Sequence, residues 1–354
     1  MEEIIPGLPD ELARECLIRV PYNRFCTVGA VCTRWKDEVE SSEFHRLRKS
    51  SGMSRSVVAL TQSEPSRSLG AVKHPAMPAY RLSLFEPGSG SWEQLPPVPG
   101  FLHGLPLFCQ VAGAGRSVVV VGGWNPVTWG VSNDVYVYDL LSATWRCGTR
   151  MPGPLRSFFA CASDSDSTVF VAGGHDVEKN ALRSALAYDV TTDSWVPLPD
   201  MAKERDECKG LFQRGRFHVI GGYCTANQGR FEMSGETLCI DTLQWGPVEE
   251  DVLEVGTCPR TCAVSHQGDL YRCRGRHLVV KEADTWRVVS ELPQCVRVGA
   301  YMVMWQGKLM VVGSERHGGP HVVYTWDLKR YTWTKMETPM EHVGHVQAGC
   351  CFEI

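Results

Sequence analysis

VVVVGGWNPVTWGVSNDVYVYDLLSATW occupies residues 118–145, and VFVAGGHDVEKNALRSALAYDVTTDSW occupies residues 169–195. Both begin with a β-branched run that ends in Gly-Gly. Both continue through a polar loop into a second β-like run that ends in Tyr-Asp, and then through a short turn to Trp. The two tryptophans, Trp145 and Trp195, are 50 residues apart. Self-similarity at a fixed period outranks any local reading, because each unit must bury its apolar face against its neighbours.

The pattern extends in both directions. Tryptophans fall at 92, 145, 195, 245, 286 and 333, with gaps of 53, 50, 50, 41 and 47 residues. FHVIGG (217–222) and TLCIDTLQW (237–245) form a third close copy, while RLSLFEPGSGSW (81–92), HLVVKEADTW (277–286) and VVYTWDLKRYTW (322–333) are looser ones. Each unit supplies about four strands, a to d. In the last, a is AYMVMWQG, b is KLMVVGS, c is HVVYTWDL and d is YTWTKM. The Gly pair closes strand b, where positive φ or close backbone approach is needed. The Trp opens strand d, and its bulk is expected to fill the space between adjacent sheets. Six such tryptophans after the same β-turn-β pattern do not fit a set of unrelated core residues.

These features resemble kelch repeats over about residues 56–354. The resemblance implies an all-β six-bladed propeller. The first unit starts at SVVAL, in the place of strand b, so its strand a is missing. The last segment, GHVQAGCCFEI (344–354), reads as that missing strand. Its insertion closes the ring and removes exposed edges.

Residues 4–50 follow a different period. Leu12, Cys16, Leu17 and Val20 recur at helical spacing after Pro9 and a candidate cap, Asp10. Pro21 interrupts; Phe25, Val28, Val31, Cys32, Trp35 and Val39 form a second stripe, and Phe44 and Leu47 follow a Ser-Ser break. Three short helices are expected, too small a unit to be comfortable alone. The set Leu8-Pro9-Asp10, Leu12, Cys16-Leu17, Val20-Pro21, Val31-Cys32, Trp35 and Phe44 resembles the F-box. That resemblance implies docking onto the Skp adaptor and, through it, cullin, with Leu8, Pro9, Leu17, Val20, Pro21, Val31 and Trp35 as adaptor contacts. Burial in the unit's own core is the alternative for each. The expected organisation is an all-α F-box (1–47), a compact polar linker (48–55) and a six-bladed kelch propeller (56–354) closed by the C-terminal strand.

PGLPDELARECLIRVPYNRF (6–25) and the closing GHVQAGCCFEI are similar to plant F-box/kelch proteins that target phenylalanine ammonia-lyase, and to relatives that target type-B cytokinin response regulators. The implied function is substrate recognition for a Skp–cullin–F-box ubiquitin ligase. A scaffold that binds the adaptor without causing degradation is a further reading that the sequence does not separate.

If strands run up and down, the a–b and c–d turns share one face and the b–c and d–a connections share the other. The b–c loops are long: 124–134, 175–184, 223–236 and 314–321. Long loops on a rigid scaffold are where recognition sits. The d–a connections carry His103, Arg156, Arg205, Arg260, Arg297 and His342, which would ring the channel mouth. With Trp124, Trp129, Tyr223, Phe231 and His317 they would make an aromatic, basic face for an acidic or polar target segment. The alternative is that the arginines bond carbonyls between blades.

A net charge of −4 offers no basic region for nucleic acid. No apolar run reaches membrane-helix length, and the acidic N-terminus lacks a signal-peptide core. The 15 cysteines are scattered among strand-like runs, so they read as reduced core residues of a cytoplasmic and nuclear protein. Cys258 with Cys262, and Cys350 with Cys351, lack the paired spacing of a zinc site, and no metal or cofactor is expected. No nucleophile elbow, phosphate loop or H-E-x-x-H occurs, and His175-Asp176 reads as a loop pair, so no catalytic residue is expected.

Overall fold

The computed structural model describes residues 3–65, 78–101 and 104–354. Four short helices precede six four-stranded antiparallel sheets. Helix α1 spans Asp10–Leu17, α2 Phe25–Gly29, α3 Thr33–Glu40 and α4 Ser42–Ser50. The expected second helix is therefore two. Cys32 is fully extended and its Sγ accepts the Trp35 amide, which ends one helix and starts the next. Ser41 caps α4 through the Phe44 amide at 3.1 Å. Asp10 is not a cap: it is the first residue of α1, and Pro9 holds the cap position. The Asp10 carboxylate accepts the Ile4 amide at 2.9 Å and pairs with Arg34 at 2.9 Å, joining the N-terminal arm to α3.

Blade one takes its b, c and d strands from Ser56–Ser63, Tyr80–Glu86 and Ser91–Gln94, and its strand a from the C-terminal Val346–Glu353. The closing strand pairs antiparallel with Ser56–Ser63, from Ser56 opposite Glu353 to Gln62 opposite Val346. Blade two is Gln110–Ala114, Ser117–Trp124, Val131–Asp139 and Thr144–Gly148; blade three is Ala160–Ser163, Thr168–Ala172, Ala185–Asp189 and Ser194–Leu198. Blade four is Lys209–Gln213, Arg216–Ile220, Gly235–Cys239 and Gln244–Trp245; blade five is Cys262–Val264, Leu270–Arg274, His277–Glu282 and Thr285–Glu291. Blade six is Val298–Trp305, Lys308–Ser314, Val322–Asp327 and Thr332–Met336.

The repeat residues now have physical roles. Asp139, Asp189 and Asp327 each end strand c, and one carboxylate oxygen of each accepts the two amides two and three residues on, at 2.7–2.9 Å. This side-chain turn sets the c–d hairpin. The aromatic residue before each Asp sits opposite the repeat tryptophan: Tyr138 with Trp145, Tyr188 with Trp195 and Trp326 with Trp333. Their ring centroids lie 4.9–5.1 Å apart, a cross-strand aromatic pair.

The tryptophans are half-buried rather than wholly enclosed, because the indole N–H reaches the preceding blade. Trp145 donates to the Pro96 carbonyl, Trp195 to Thr149, Trp245 to Pro199, Trp333 to Glu291 and Trp92 to Glu337, all at 2.7–3.1 Å. One apolar cluster lies between each pair of adjacent blades, and each holds one of the six tryptophans. In the Gly pairs both residues have positive φ, and a Cβ on Gly123 or Gly222 would meet the incoming d–a backbone at 2.7 or 2.6 Å.

The helical unit shares one core cluster with blades one and two, which includes Leu17, Phe25, Val28 and Phe44. Arg48, expected in the linker, belongs to α4 and is 2 % exposed. Its guanidinium donates to the carbonyls of Ile18, Val20 and Met53, and lies 4.7 Å from the Phe25 ring centroid. Arg116, in the a–b turn of blade two, binds Asp139 at 2.8 Å and the Glu40 carbonyl at 3.0 Å. The helices therefore seat on the face of the a–b and c–d turns. The b–c and d–a loops lie on the opposite face.

All 15 cysteines are free thiols. Burial pushes those of Cys109, Cys161, Cys262 and Cys273 up to about 12. No helix among the described residues is long and apolar enough to cross a membrane.

Candidate functional site: an outward helical surface and an opposite loop face

Two surfaces stand at opposite ends of the molecule. On the helical unit, Pro9 and Pro21 are exposed and Val31 is 59 % exposed. Leu12, which the sequence did not place among the adaptor contacts, is 53 % exposed. Leu8, Val20 and Trp35 are half-buried against the core. The Trp35 indole N–H donates to the Ile4 carbonyl at 2.6 Å, so this ring also fixes the N-terminal arm. Leu17, expected as a contact, is 2 % exposed and packs inward. Leu17 lies on the side of α1 that joins the cluster with Phe25, Val28 and Phe44, and Leu12 does not. Pro9, Leu12, Pro21 and Val31 leave apolar side chains exposed on the helical unit.

On the loop face, the expected basic ring is rearranged. Arg156 and Arg205 are each 1 % exposed. Arg156 donates to the Gly173 and Ser184 carbonyls and the Ser184 hydroxyl. Arg205 repeats this with Gly221 and Ser234, and adds an ion pair to the buried Glu236 at 3.2 Å. Both arginines clamp the two ends of their own blade's b–c loop, so the bonds are within blades and not between them. His342 is likewise buried: its Nδ1 lies 3.2 Å from the Ser83 hydroxyl and its ring stacks on Trp92. Arg297 is tied to Glu291 and the Leu292 carbonyl. Arg260 reaches across to the Val346 carbonyl of blade one at 2.7 Å. His317 is exposed on the b–c loop of blade six, and His103 lies outside the described residues. A basic face built from Arg156, Arg205 and His342 is thus excluded.

An aromatic mouth takes its place. The residue after each Gly pair is Trp124, His175 or Tyr223, and each forms a two-residue bridge to the incoming d–a segment. Beside them stand Phe108, Phe158 and Glu207, all in left-handed backbone with φ of 59°, 55° and 51°. Such strain on non-glycine residues concentrates at functional sites. Here it lies one residue past each bridge and puts the side chains on the channel rim. Phe158 lies 5.0 Å from Phe108 and 5.5 Å from His175 between ring centroids. Trp124 contacts Phe108, Phe158 and Trp129, and Lys179 sits over its ring at 5.9 Å.

His175 does not pair with Asp176. Its Nδ1 lies 2.8 Å from the Asp206 carboxylate, with both side chains buried. Tyr223 is buried, donates to Glu207 at 2.9 Å and contacts Phe231 at 5.5 Å. Around this mouth the loops of blades two and three expose Val127, Trp129, Leu155 and Val177, with Trp129 49 % exposed. Trp129 was expected on this face from the sequence, whereas Val127, Leu155, Val177 and the Phe108–Phe158 pair were not singled out there. Aligning the three segments Leu107-Phe108-Cys109, Ser157-Phe158-Phe159 and Asp206-Glu207-Cys208 would have marked the rim positions. Among the described residues no group of three His, Cys, Asp or Glu is disposed to hold a metal ion.

The F-box domain family matches residues 5–47, and the kelch motif matches residues 107–152 and 156–202. The latter two segments cover blades two and three. The chain is 47 % identical to the F-box/kelch-repeat protein At1g15670 of Arabidopsis thaliana, over 99 % of this chain and all of that protein. It is 46 % identical to At1g80440 over the same shares, and 31 % identical to SKIP20 over 95 % of this chain and 93 % of that protein, both F-box/kelch-repeat proteins of Arabidopsis thaliana.

Proposed function

Because this chain belongs to the F-box/kelch-repeat family of plants, whose members generally serve as substrate receptors of Skp–cullin–F-box ligases, we propose that it holds one protein target on its loop face for ubiquitination. The carrying observation is the placement of the two surfaces. The exposed apolar residues of the helical unit and the aromatic mouth of the propeller lie at opposite ends of a body joined by one shared core. An adaptor on the first leaves the second free. The shared core and the Arg116 bond to the Glu40 carbonyl fix the helices to the propeller, so a bound target would be held at a set distance from the adaptor.

The ubiquitin chemistry then belongs to other subunits, and the chain acts by positioning. Aromatic residues on a rigid rim bind with little loss of side-chain freedom, and Trp is enriched at interface hot spots. Trp129, Val127, Leu155 and Val177 supply the apolar anchor; Lys179 and His317 supply polar rim. We place phenylalanine ammonia-lyase first among candidate targets, on the likeness of the terminal segments to proteins that direct its turnover.

Affinity purification from plant tissue under proteasome inhibition tests this, with a Leu12→Glu/Val31→Glu variant and a Trp129→Ala/Val177→Asp variant beside the parent chain. Adaptor and cullin should be lost only with the first, and phenylalanine ammonia-lyase only with the second. Recovery of a type-B response regulator in its place would reassign the target. A target whose half-life ignores proteasome inhibition would make the chain a non-degradative scaffold.

A further inference from the structure

A cavity of about 1650 Å³ runs down the propeller axis. At one end Glu40, Arg46 and Lys49 of the helical unit line it; at the other it opens between the rim loops. Two cations stand in its wall near that open end. Lys209 begins strand a of blade four, and its Nζ donates to the Arg260 carbonyl at 3.1 Å and lies 5.3 Å from the Tyr301 ring centroid. Arg260 follows on the loop into blade five and gives one donor to the Val346 carbonyl. Among the described residues neither has a carboxylate within ion-pair distance, unlike most arginines on the outer surface. The Nε of Arg260 is buried without a hydrogen-bond partner.

Their surroundings do not neutralise them. Behind Arg260 lie His321 and His345, with ring centroids 5.1 Å apart. Burial and the Arg260 charge both lower the pKa of each imidazole, so the rings stay neutral and offer Arg260 no counter-charge. Glu207, on the rim two residues before Lys209, accepts the Tyr223 hydroxyl and, among the described residues, forms no ion pair with either cation. Burial pushes the Lys209 ammonium down to about 8, the response of a cation that has lost water and gained no anion. Below the cations the wall is small and apolar, with Ala112, Cys161, Gly210 and Ala263 facing the axis. Two unpaired cations over an apolar well, in a concave site of this size, form the anion half and the apolar half of a ligand pocket.

We propose that the open end of the channel binds a small organic anion, with its carboxylate or phosphate held by Lys209 and Arg260 and its apolar body against the Ala112–Cys161 wall. Arg supplies a planar fork and Lys a point charge, and both suit either head group. Such a ligand would lie directly beneath a target seated on the rim.

Calorimetric titration of the full chain in complex with its adaptor tests this. The probes are 1-naphthoate, 1-naphthyl phosphate and neutral 1-naphthol. The expected result is one saturable site for at least one anion, with naphthol roughly 10-fold weaker or worse. The relative affinities of the two anions identify the preferred head group. Lys209→Met should weaken the anion by roughly 10-fold or more at an unchanged melting temperature, while Lys209→Arg retains it. Absence of saturable binding by both anions, equal binding of naphthol, or an unaffected Lys209→Met chain would each overturn the proposal.

Discussion

Nδ1 of His175, on the loop leaving strand b of blade three, lies 2.8 Å from the Asp206 carboxylate, on the loop entering blade four. The pair is buried and joins two blades at the rim. Asp206 also accepts the Glu207 amide at 2.8 Å, and so sets the left-handed residue beside the channel. His175→Ala leaves that carboxylate buried with one partner fewer. It should cost about 2–3 kcal/mol, read by denaturant unfolding, and loosen the Glu207 loop in hydrogen exchange. Unchanged stability would mean the pair is not formed in solution.

Arg156 separates structure from recognition. Arg156→Glu would place a carboxylate against the Gly173 and Ser184 carbonyls in a buried site. A loss of more than about 4 kcal/mol is expected, with low yield of folded protein. A folded Arg156→Glu chain with parental melting temperature would contradict the clamp.

The two sides of α1 should behave oppositely. Leu17→Ala removes a buried side chain from the shared core and should destabilise by about 2–5 kcal/mol. Leu12→Glu with Val31→Glu should leave the melting temperature within a degree or two, since both are exposed, and abolish adaptor capture. Retained capture by the double variant would place the adaptor elsewhere.

Removal of residues 345–354 takes away strand a of blade one, one of the two partners of Ser56–Ser63, and opens the ring. It also removes bonds between Thr61 and Ala348 at 2.8 and 3.1 Å and the pairing of Arg55 with Ile354. The truncated chain should lose its cooperative melting transition and aggregate through the bared edge. A parental transition would refute closure by this strand.

Acid should weaken the fold before any carboxylate titrates. Desolvation lowers the pKa of His45, His218, His321, His342 and His345 in the folded chain, His321 to about 4. The unfolded chain binds these protons near 6.5 and the folded chain resists them. The stability contribution is therefore present above about pH 6.5 and lost as the pH falls towards the folded values. Melting temperature should decline between pH 7 and 5, with a shallower slope in His321→Asn; a flat profile would contradict burial of these rings.

The repeat was legible because each of its signals is local and recurs. Gly122-Gly123, Tyr138-Asp139 and Trp145 do their work within one hairpin or against the next blade, so the chain had to write them out in every unit. The helical unit was legible in outline, yet its third break at Cys32 rests on a thiol cap with no compositional mark. Which of Leu12 and Leu17 faces out depended on which one packs into the cluster with Phe25, Val28 and Phe44, and helical spacing alone does not choose between them.

The rim shows the limit most directly. Arg156, Arg205 and His342 stand in loops between strands, where sequence reads a charged residue as solvent-facing. Their burial comes from carbonyls and hydroxyls supplied by residues some 16–29 positions away or, for His342, 259 positions away. His175 met Asp206 rather than its neighbour Asp176 for the same reason. The amino-acid sequence by itself determined the repeat, the blade count, the closing strand and the family, because periodicity and hairpin chemistry are encoded within each fifty-residue unit. Only the tertiary structure decided which side chains point to solvent, since ring closure brings distant loops together and gives each loop charge either a buried partner or open water.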